Sequence, residues 1–172
     1  MPSKSYQASE TARTWSDTGT TSDELMDLGG LVTDGVVMGS YHDLGASPRA
    51  DLYEVELFID GFDAATPPVV GEVVELWFSQ SNATTGFDGQ PTTDPTDTVE
   101  GTMTIAQAEN CTFACAVRVY STTAADELQK RATIRLTGRY VSPVVINRTS
   151  DTLLGTSDAH MVTLTPIPQE SQ

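Results

Sequence analysis

The chain has 172 residues, of which 24 are acidic and nine are basic, and its formal net charge at pH 7 is −15. A field of this sign repels the phosphates of nucleic acid, so we expect no nucleic-acid partner. No apolar run approaches the roughly 20 residues of a membrane-spanning helix, and the N-terminus lacks a secretory core, so we expect no membrane association or signal peptide.

The first part of the chain predicts a polar arm followed by short strands. Residues 1–22 are rich in Ser and Thr, and they predict a flexible N-terminal arm that pairs a short strand around residues 11–15. Trp15 is the aromatic anchor of this arm and is our first candidate for binding a partner. The Asp34-Gly35 pair predicts a hairpin between two short strands within 24–38, where three glycines disfavour a helix.

The middle of the chain predicts three strands, one long loop and one helix. Residues 51–60 alternate apolar and polar side chains, and residues 69–79 are apolar at nearly every position, which is typical of a central strand covered on both faces. Residues 80–98 form the longest loop, and a loop of this length is either functional or disordered. A strand is predicted at 112–120 and a two-turn helix at 122–130, with Thr122 or Thr123 as its N-cap.

The C-terminal part predicts three closing strands, at 133–137, 141–146 and 161–165. Pro143 has no N–H to donate to a ladder, so it is expected at a sheet edge or a bulge. The chain then has eight or nine strands, one short helix and no alternation of strands with helices. This pattern predicts an all-β protein with a single-domain β-sandwich of jelly-roll or Greek-key type over 23–168, and a C-terminal tail at 169–172.

The two cysteines are predicted to be small core residues. Cys111 and Cys115 lie four residues apart, so in an extended strand they share one face with Phe113 and stand about 13 Å apart. A disulfide needs Cα atoms within about 7 Å, which excludes a bond between them while the strand is extended. The chain has only two histidines to complete a zinc site, so we expect no zinc.

No catalytic constellation is evident, and we expect no enzyme. His42 is interpreted as a surface loop residue and His160 as a residue at the start of the last strand. There is no Gly-x-Ser-x-Gly elbow to present a nucleophile. Glu54 and Glu56 have the spacing of outward residues on one strand, which indicates a solvated surface rather than a glycosidase pair.

The long loop also carries three weak candidate ligands for calcium, Asp88, Asp94 and Asp97. They lack the spacing and the bidentate Glu of an EF-hand, so a plain acidic loop is the favoured interpretation and we expect no metal or cofactor. Three matches to the glycosylation acceptor pattern are interpreted as accidental; they lie at Asn82, Asn110 and Asn147.

Three blocks of sequence resemble a family of small structural proteins of tailed viruses of bacteria and archaea. The blocks are a Leu-Gly-rich opening with a DLYEVEL strand, an aromatic VELWF strand that leads into a Ser/Asn/Gly loop, and a closing RYVSPVVIN strand with its continuation. They lie at 27–38 with Arg49 and 51–57, at 74–78 with 87–89, and at 139–147 with 153–156, 159–160 and 164–166.

The resemblance implies a virion structural protein without enzymatic activity. In this family the role is a jelly-roll-like head decoration protein, or a neck or fibre element, which binds the major capsid protein or other virion proteins. It also implies a homo-oligomer and a virion assembled in the host cytoplasm. The chain departs from the family in its acidity and its long Thr/Asp/Pro loop, which leaves its station in the particle open.

A carbohydrate-binding sandwich, such as an adhesin or fibre head, is the alternative. In this function an exposed aromatic ring stacks on a sugar, and the candidates are Trp77, Phe78 and Phe87. Trp77 and Phe78 lie in a strand too apolar to expose them. Phe87, at the tip of the long loop, is therefore the predicted sugar platform and the second candidate for binding a partner.

Overall fold

The computed structural model describes residues 11–17, 24–46, 50–63, 68–155 and 160–167, and the backbone of 5–6 and 170–171. Within these ranges the chain forms twelve strands and one helix, in agreement with the predicted all-β fold. In chain order they are β1 Ser5–Tyr6, β2 Arg13–Ser16, β3 Glu24–Leu25, β4 Val36–Met38, β5 His42–Asp43, β6 Leu52–Ile59, β7 Val73–Ser81, α1 Ile105–Ala108, β8 Thr112–Arg118, β9 Leu128–Arg135, β10 Tyr140–Asn147, β11 Met161–Pro166 and β12 Glu170–Ser171.

The strands form two five-stranded sheets and a separate β1–β12 pair. Sheet I has the order β3-β2-β11-β6-β9, and sheet II has the order β4-β10-β7-β8 with β5 also paired to β10. The pairings are antiparallel except for β2 with β3. Most neighbours are distant in sequence, as in Greek-key connections, and the three closing strands are divided between the two sheets.

The main core lies between the two sheets. On β6 the predicted alternation is confirmed, because Tyr53, Val55, Leu57 and Ile59 are buried while Glu54 is exposed on the outer side. Leu76 and Phe78 of β7 face the same core from sheet II. The two inner faces therefore bury one continuous apolar cluster, as expected for a sandwich.

The outer face of sheet II is also partly buried. The residues between β7 and β8, here called the covering segment (82–111), lie across it and enclose a second apolar cluster. This cluster holds Phe87, Met103 and Ala108 of the covering segment against Val144 and Ile146 of β10. β7 is a central strand, as predicted, but its outward residues Glu75 and Trp77 are only half-buried, so the predicted cover on both faces is partial. β7 begins at Val73 rather than at residue 69.

The predicted helix at 122–130 is wrong. Leu128–Arg135 forms β9 and pairs residue for residue with Leu52–Ile59, and Leu128 is buried in the core. Eight paired residues outweigh the weak local preference for helix. The helix lies instead at Ile105–Ala108, where Thr104 and Gln107 form a capping box. That Thr-x-x-Gln spacing is a readable signal in the sequence.

A bulge changes the predicted faces of β8. The register places Leu76 opposite Cys115 and Trp77 opposite Phe113, so Ala114 is an extra residue. Cys115 therefore faces the main core, whereas Cys111 packs against the outer cluster. The prediction that both cysteines and Phe113 share one face is wrong, because one inserted residue reverses the alternation that precedes it. Both thiols are free, and Cys115 is buried while Cys111 is half-buried.

Pro143 lies in a central strand, opposite a bulge. β10 is paired on both sides, so the predicted edge position is wrong. Between the pairs Val144–Met38 and Val141–His42, two residues of β10 face the three residues 39–41. The Pro143 carbonyl accepts a hydrogen bond from Gly39 N (2.9 Å) on this irregular side. The Pro143 nitrogen, which has no hydrogen to donate, therefore lies on the irregular side of β10. The predicted position of Pro143 at a bulge is thus confirmed.

Two further predictions at the N-terminal side have opposite outcomes. Asp34 turns the chain with a φ of 54°, but the segment before it is not a strand, so the predicted Asp34-Gly35 hairpin is wrong. Arg13–Ser16 is a strand of sheet I, which confirms the short strand predicted around residues 11–15 of the arm. Residues 1–4, 7–10 and 18–22 of the arm, and residues 168, 169 and 172 at the C-terminus, lie outside the described residues. No helix of the described chain is long and apolar enough to span a membrane.

Candidate functional site

The predicted partner-binding residue Trp15 lies in the core. Its side chain is 0% exposed, and the indole Nε1–H donates to the Ser40 carbonyl oxygen at 2.8 Å. Its ring makes edge contacts with Phe78 (6.3 Å between centroids) and His42 (6.5 Å). Trp15 therefore ties β2 of sheet I to sheet II, and it offers no accessible surface to a partner.

The second predicted binding residue, Phe87, is equally buried. Its side chain is 1% exposed and stacks on Tyr41 with 6.0 Å between ring centroids. The expected exposure at the loop tip is wrong, because the loop folds back onto sheet II and uses the ring as its anchor. A sugar cannot stack on Phe87 in this conformation.

The three aspartates of the loop have different surroundings. The Asp94 carboxylate accepts from Gly86 N (3.1 Å) and Phe87 N (3.5 Å), so it holds the turn that buries the Phe87 ring. Burial raises the pKa of Asp88. Asp97 lies close enough to Tyr41 to help raise the pKa of that phenol, after burial. No group of three potential metal ligands occurs in the described part of the chain.

His160 is a structural residue beneath the start of β11. It is 3% exposed, its Nδ1 accepts from Asp60 N (3.2 Å), and its Nε2–H donates to the Leu154 carbonyl oxygen (2.8 Å). Both ring nitrogens are therefore engaged by backbone, and burial lowers the pKa of the imidazole. The predicted position at the start of the last strand is confirmed.

His42 is part of β5 rather than a surface loop residue, so that prediction is wrong. Its side chain is half-buried, and Nδ1 lies 2.8 Å from Glu24 Oε1. This contact connects β5 of sheet II to β3 of sheet I. His42, which the sequence pattern placed in a loop, therefore lies at a junction between the two sheets.

Among the described residues, Phe113 and Trp77 form the most exposed aromatic pair on a sheet face. The sequence argued against exposure of Trp77 and did not indicate Phe113. Phe113 is 50% exposed and lies edge-on to the half-buried Trp77, with 4.9 Å between ring centroids. The Trp77 indole N–H donates to Glu75 Oε2 at 3.2 Å. The bulge at Ala114 turns Phe113 outward, and a bulge leaves no local mark in sequence.

An arginine network borders this aromatic pair. The Arg148 guanidinium contacts Glu75 (3.5 Å between Nε and Oε2), Glu109 and Asp34 (3.7 Å between Nη1 and Oδ1). Glu75 therefore joins the network to Trp77. We call Glu75, Trp77, Glu109, Phe113 and Arg148 the aromatic–arginine patch. It combines exposed ring surface with polar groups held in place by ion pairs.

No protein-family model, curated protein or solved structure matches this chain. The candidate site is therefore defined by its own geometry.

Proposed function

We propose that this protein is a non-enzymatic structural component of a tailed-virus particle, of the head decoration type. The observation that carries the proposal is the aromatic–arginine patch on the outer side of sheet II. Aromatic residues and arginine are enriched in the buried centres of protein interfaces, whereas most other charged residues are depleted there. We infer that this patch binds the major capsid protein or another virion protein.

The surroundings of the patch suit a protein that binds a shell in many copies. Trp77 and Phe113 lie on paired strands, and the second apolar cluster buries the same sheet face beside them, so the patch is rigid before it binds. Rigid contact groups lose little entropy on association. The net charge of −15 keeps a crowded protein soluble through mutual repulsion.

The blocks that resemble tailed-virus structural proteins fall on the framework of the fold. The strand-like parts of the blocks coincide with β4, β6, β7, β10 and β11. The resemblance therefore supports a shared scaffold more than a shared contact site. The virion location, assembly in the host cytoplasm and a homo-oligomer set by lattice symmetry are parts of the same proposal.

Carbohydrate binding is the second candidate, and the exposed Phe113 ring is the observation that favours it. Since Phe87 is buried, a sugar platform would have to be Phe113 with Trp77. The glutamates and Arg148 beside them are groups that hydrogen-bond sugar hydroxyls. The same patch thus serves both candidates, and the two differ in the ligand.

Co-sedimentation with empty capsid shells of the tailed virus that carries the gene tests the first candidate. We expect the wild-type chain to bind saturably and Phe113→Ala to bind at least tenfold more weakly. Tyr120→Ala is the matched control, because Tyr120 is 64% exposed just beyond the other end of β8. Unchanged binding by Phe113→Ala would remove the patch from the interface, and no shell binding by the wild type would contradict the virion function. Saturable binding to a glycan array, lost in Phe113→Ala, would support the second candidate instead.

A further inference from the structure

A cleft of about 270 Å³ opens at one end of the sandwich. It lies beside the first residues of β2 and β6, the last residues of β11, and the turn after β5. Its apolar walls are Leu44, the Tyr53 ring, Leu164 and Pro166. Polar and apolar groups line the cleft in similar measure, and its charged groups decide what it can hold.

Arg13 is the cation of this cleft, and the described residues offer its Nε–H no acceptor. It pairs with Leu164 in the sheet, which places its side chain among the cleft walls. The Arg13 Nε atom is buried and has no hydrogen-bond partner, and Arg13 forms no ion pair within the described residues. A buried donor on a charged group is costly when it stays unpaired, so an acceptor is expected there.

The acids near the cleft are committed to other partners. The Asp43 carboxylate takes two hydrogen bonds from Arg139 (2.9 and 2.7 Å) and one from Gly45 N (2.8 Å). The hydrogen bond from Arg139 lowers the pKa of Asp43, so this carboxylate is ionised at neutral pH. Glu24 is bonded to His42 at 2.8 Å. Neither acid is among the hydrogen-bond or ion-pair partners of Arg13.

We propose that this cleft binds a carboxylate monoanion that carries a short apolar group. A guanidinium matches the planar, two-oxygen geometry of a carboxylate, and the apolar walls suit a short carbon chain. A dianion such as phosphate is disfavoured, because ionised Asp43 lines the same cleft and the whole chain carries a charge of −15. The volume limits the ligand to a small acid or to one acidic side chain of another polypeptide.

The Arg13 Nε–H resonance in a ¹⁵N-labelled sample tests this site directly. We expect sodium propionate to shift this resonance saturably, with half-saturation at about 1–10 mM for so small a ligand. Phosphate at the same ionic strength should bind at least tenfold more weakly, and sodium chloride should cause no saturable shift. Arg13→Gln should abolish the propionate-induced shifts of the Leu44 and Gly45 amides. Arg135→Gln, which alters an exposed ion pair on β9, should leave them unchanged.

A second titration, with a short peptide, distinguishes the two sources of the carboxylate. Saturation by acetyl-Ala-Glu-Ala-amide as well as by propionate assigns the cleft to an acidic side chain of a partner, and saturation by propionate alone assigns it to a free acid. If Arg13→Gln does not fold, Arg13→Lys keeps the charge but loses the guanidinium fork, and we expect at least fivefold weaker binding. The proposal would be overturned if propionate did not shift the Arg13 Nε–H resonance, or if chloride shifted it equally.

Discussion

Replacing Asn147 with Ala should destabilise the protein more than most single substitutions. Asn147 is 0% exposed at the end of β10. Its Nδ2 donates to the carbonyl oxygens of Leu31 (2.9 Å) and Asp151 (2.7 Å), and its Oδ1 accepts from Thr149 N (3.0 Å) and Thr149 Oγ1 (2.7 Å). One side chain thus joins the segment before β4 to the loop after β10. The burial agrees with the interpretation of its glycosylation pattern as accidental.

The expected loss in free energy of unfolding depends on which hydrogen bonds the partners of Asn147 keep. The Leu31 carbonyl still accepts from Leu153 N, and the Asp151 carbonyl and the Thr149 hydroxyl still bond to each other. Only the Thr149 N–H loses its acceptor, which costs about 1–3 kcal/mol. The Leu31 carbonyl, the Asp151 carbonyl and the Thr149 hydroxyl each lose one of two hydrogen bonds, which costs roughly 0.5–1 kcal/mol each. We therefore expect Asn147→Ala to lower the free energy of unfolding by about 3–5 kcal/mol. The melting temperature should fall by on the order of 10 °C.

Urea unfolding followed by circular dichroism measures this change. Asn82→Ala is the control, because Asn82 is exposed and only accepts one hydrogen bond from Arg139 N (3.3 Å), so its effect should stay within about 0.5 kcal/mol. Asn147→Asp keeps the shape but replaces the donor with an acceptor facing two carbonyls, and it should cost at least as much as Asn147→Ala. A loss below about 1 kcal/mol in Asn147→Ala would refute this account of the hydrogen-bond network.

Three further predictions concern groups that the fold buries. Phe87→Ala should lower the free energy of unfolding by about 3–5 kcal/mol, whereas Phe113→Ala should lower it by about 1 kcal/mol because Phe113 is half-exposed. Equal losses for the two variants in urea unfolding would contradict the burial of the loop tip. Burial raises the pKa of Cys111 and Cys115 to about 11, so at pH 8 both should react with a disulfide reagent about a hundredfold more slowly than in urea. Burial also lowers the pKa of His160, so as the pH falls the unfolded chain binds this proton before the folded chain does. The free energy of unfolding should therefore decrease as the pH drops through about 6.5. His160→Gln should reduce this pH dependence, measured by urea unfolding between about pH 7.5 and 5.5.

The sequence predicted strands best where one face is buried. Residues 51–60 and 161–165 alternate, and the structure places β6 at Leu52–Ile59 and β11 at Met161–Pro166. In such strands the side-chain period alone separates core from solvent. The all-β class follows from these patterns, because they repeat along the chain without intervening helices.

The sequence failed where a distant contact decides the local structure. The helical preference of residues 122–130 gave way to pairing with β6, a strand some 70 residues earlier. The partner-binding roles assigned to Trp15 and Phe87 assumed exposure, which depends on whether another segment covers the ring. Local pattern carries neither kind of information. The bulge at Ala114 is a similar case, since it exists only relative to the register with β7.

The covering segment shows how the sequence could have been interpreted further. β10 is buried at every position from Val141 to Asn147, and β7 is apolar at most positions, so both strands need cover on two sides. One side is the opposite sheet. Because a sandwich has only two layers of strands, the second cover must come from a connection, and residues 82–111 are the longest one described between strands. A long polar loop next to a strand that is apolar on both faces is therefore a candidate for packing against that strand, and a binding role for it requires separate support.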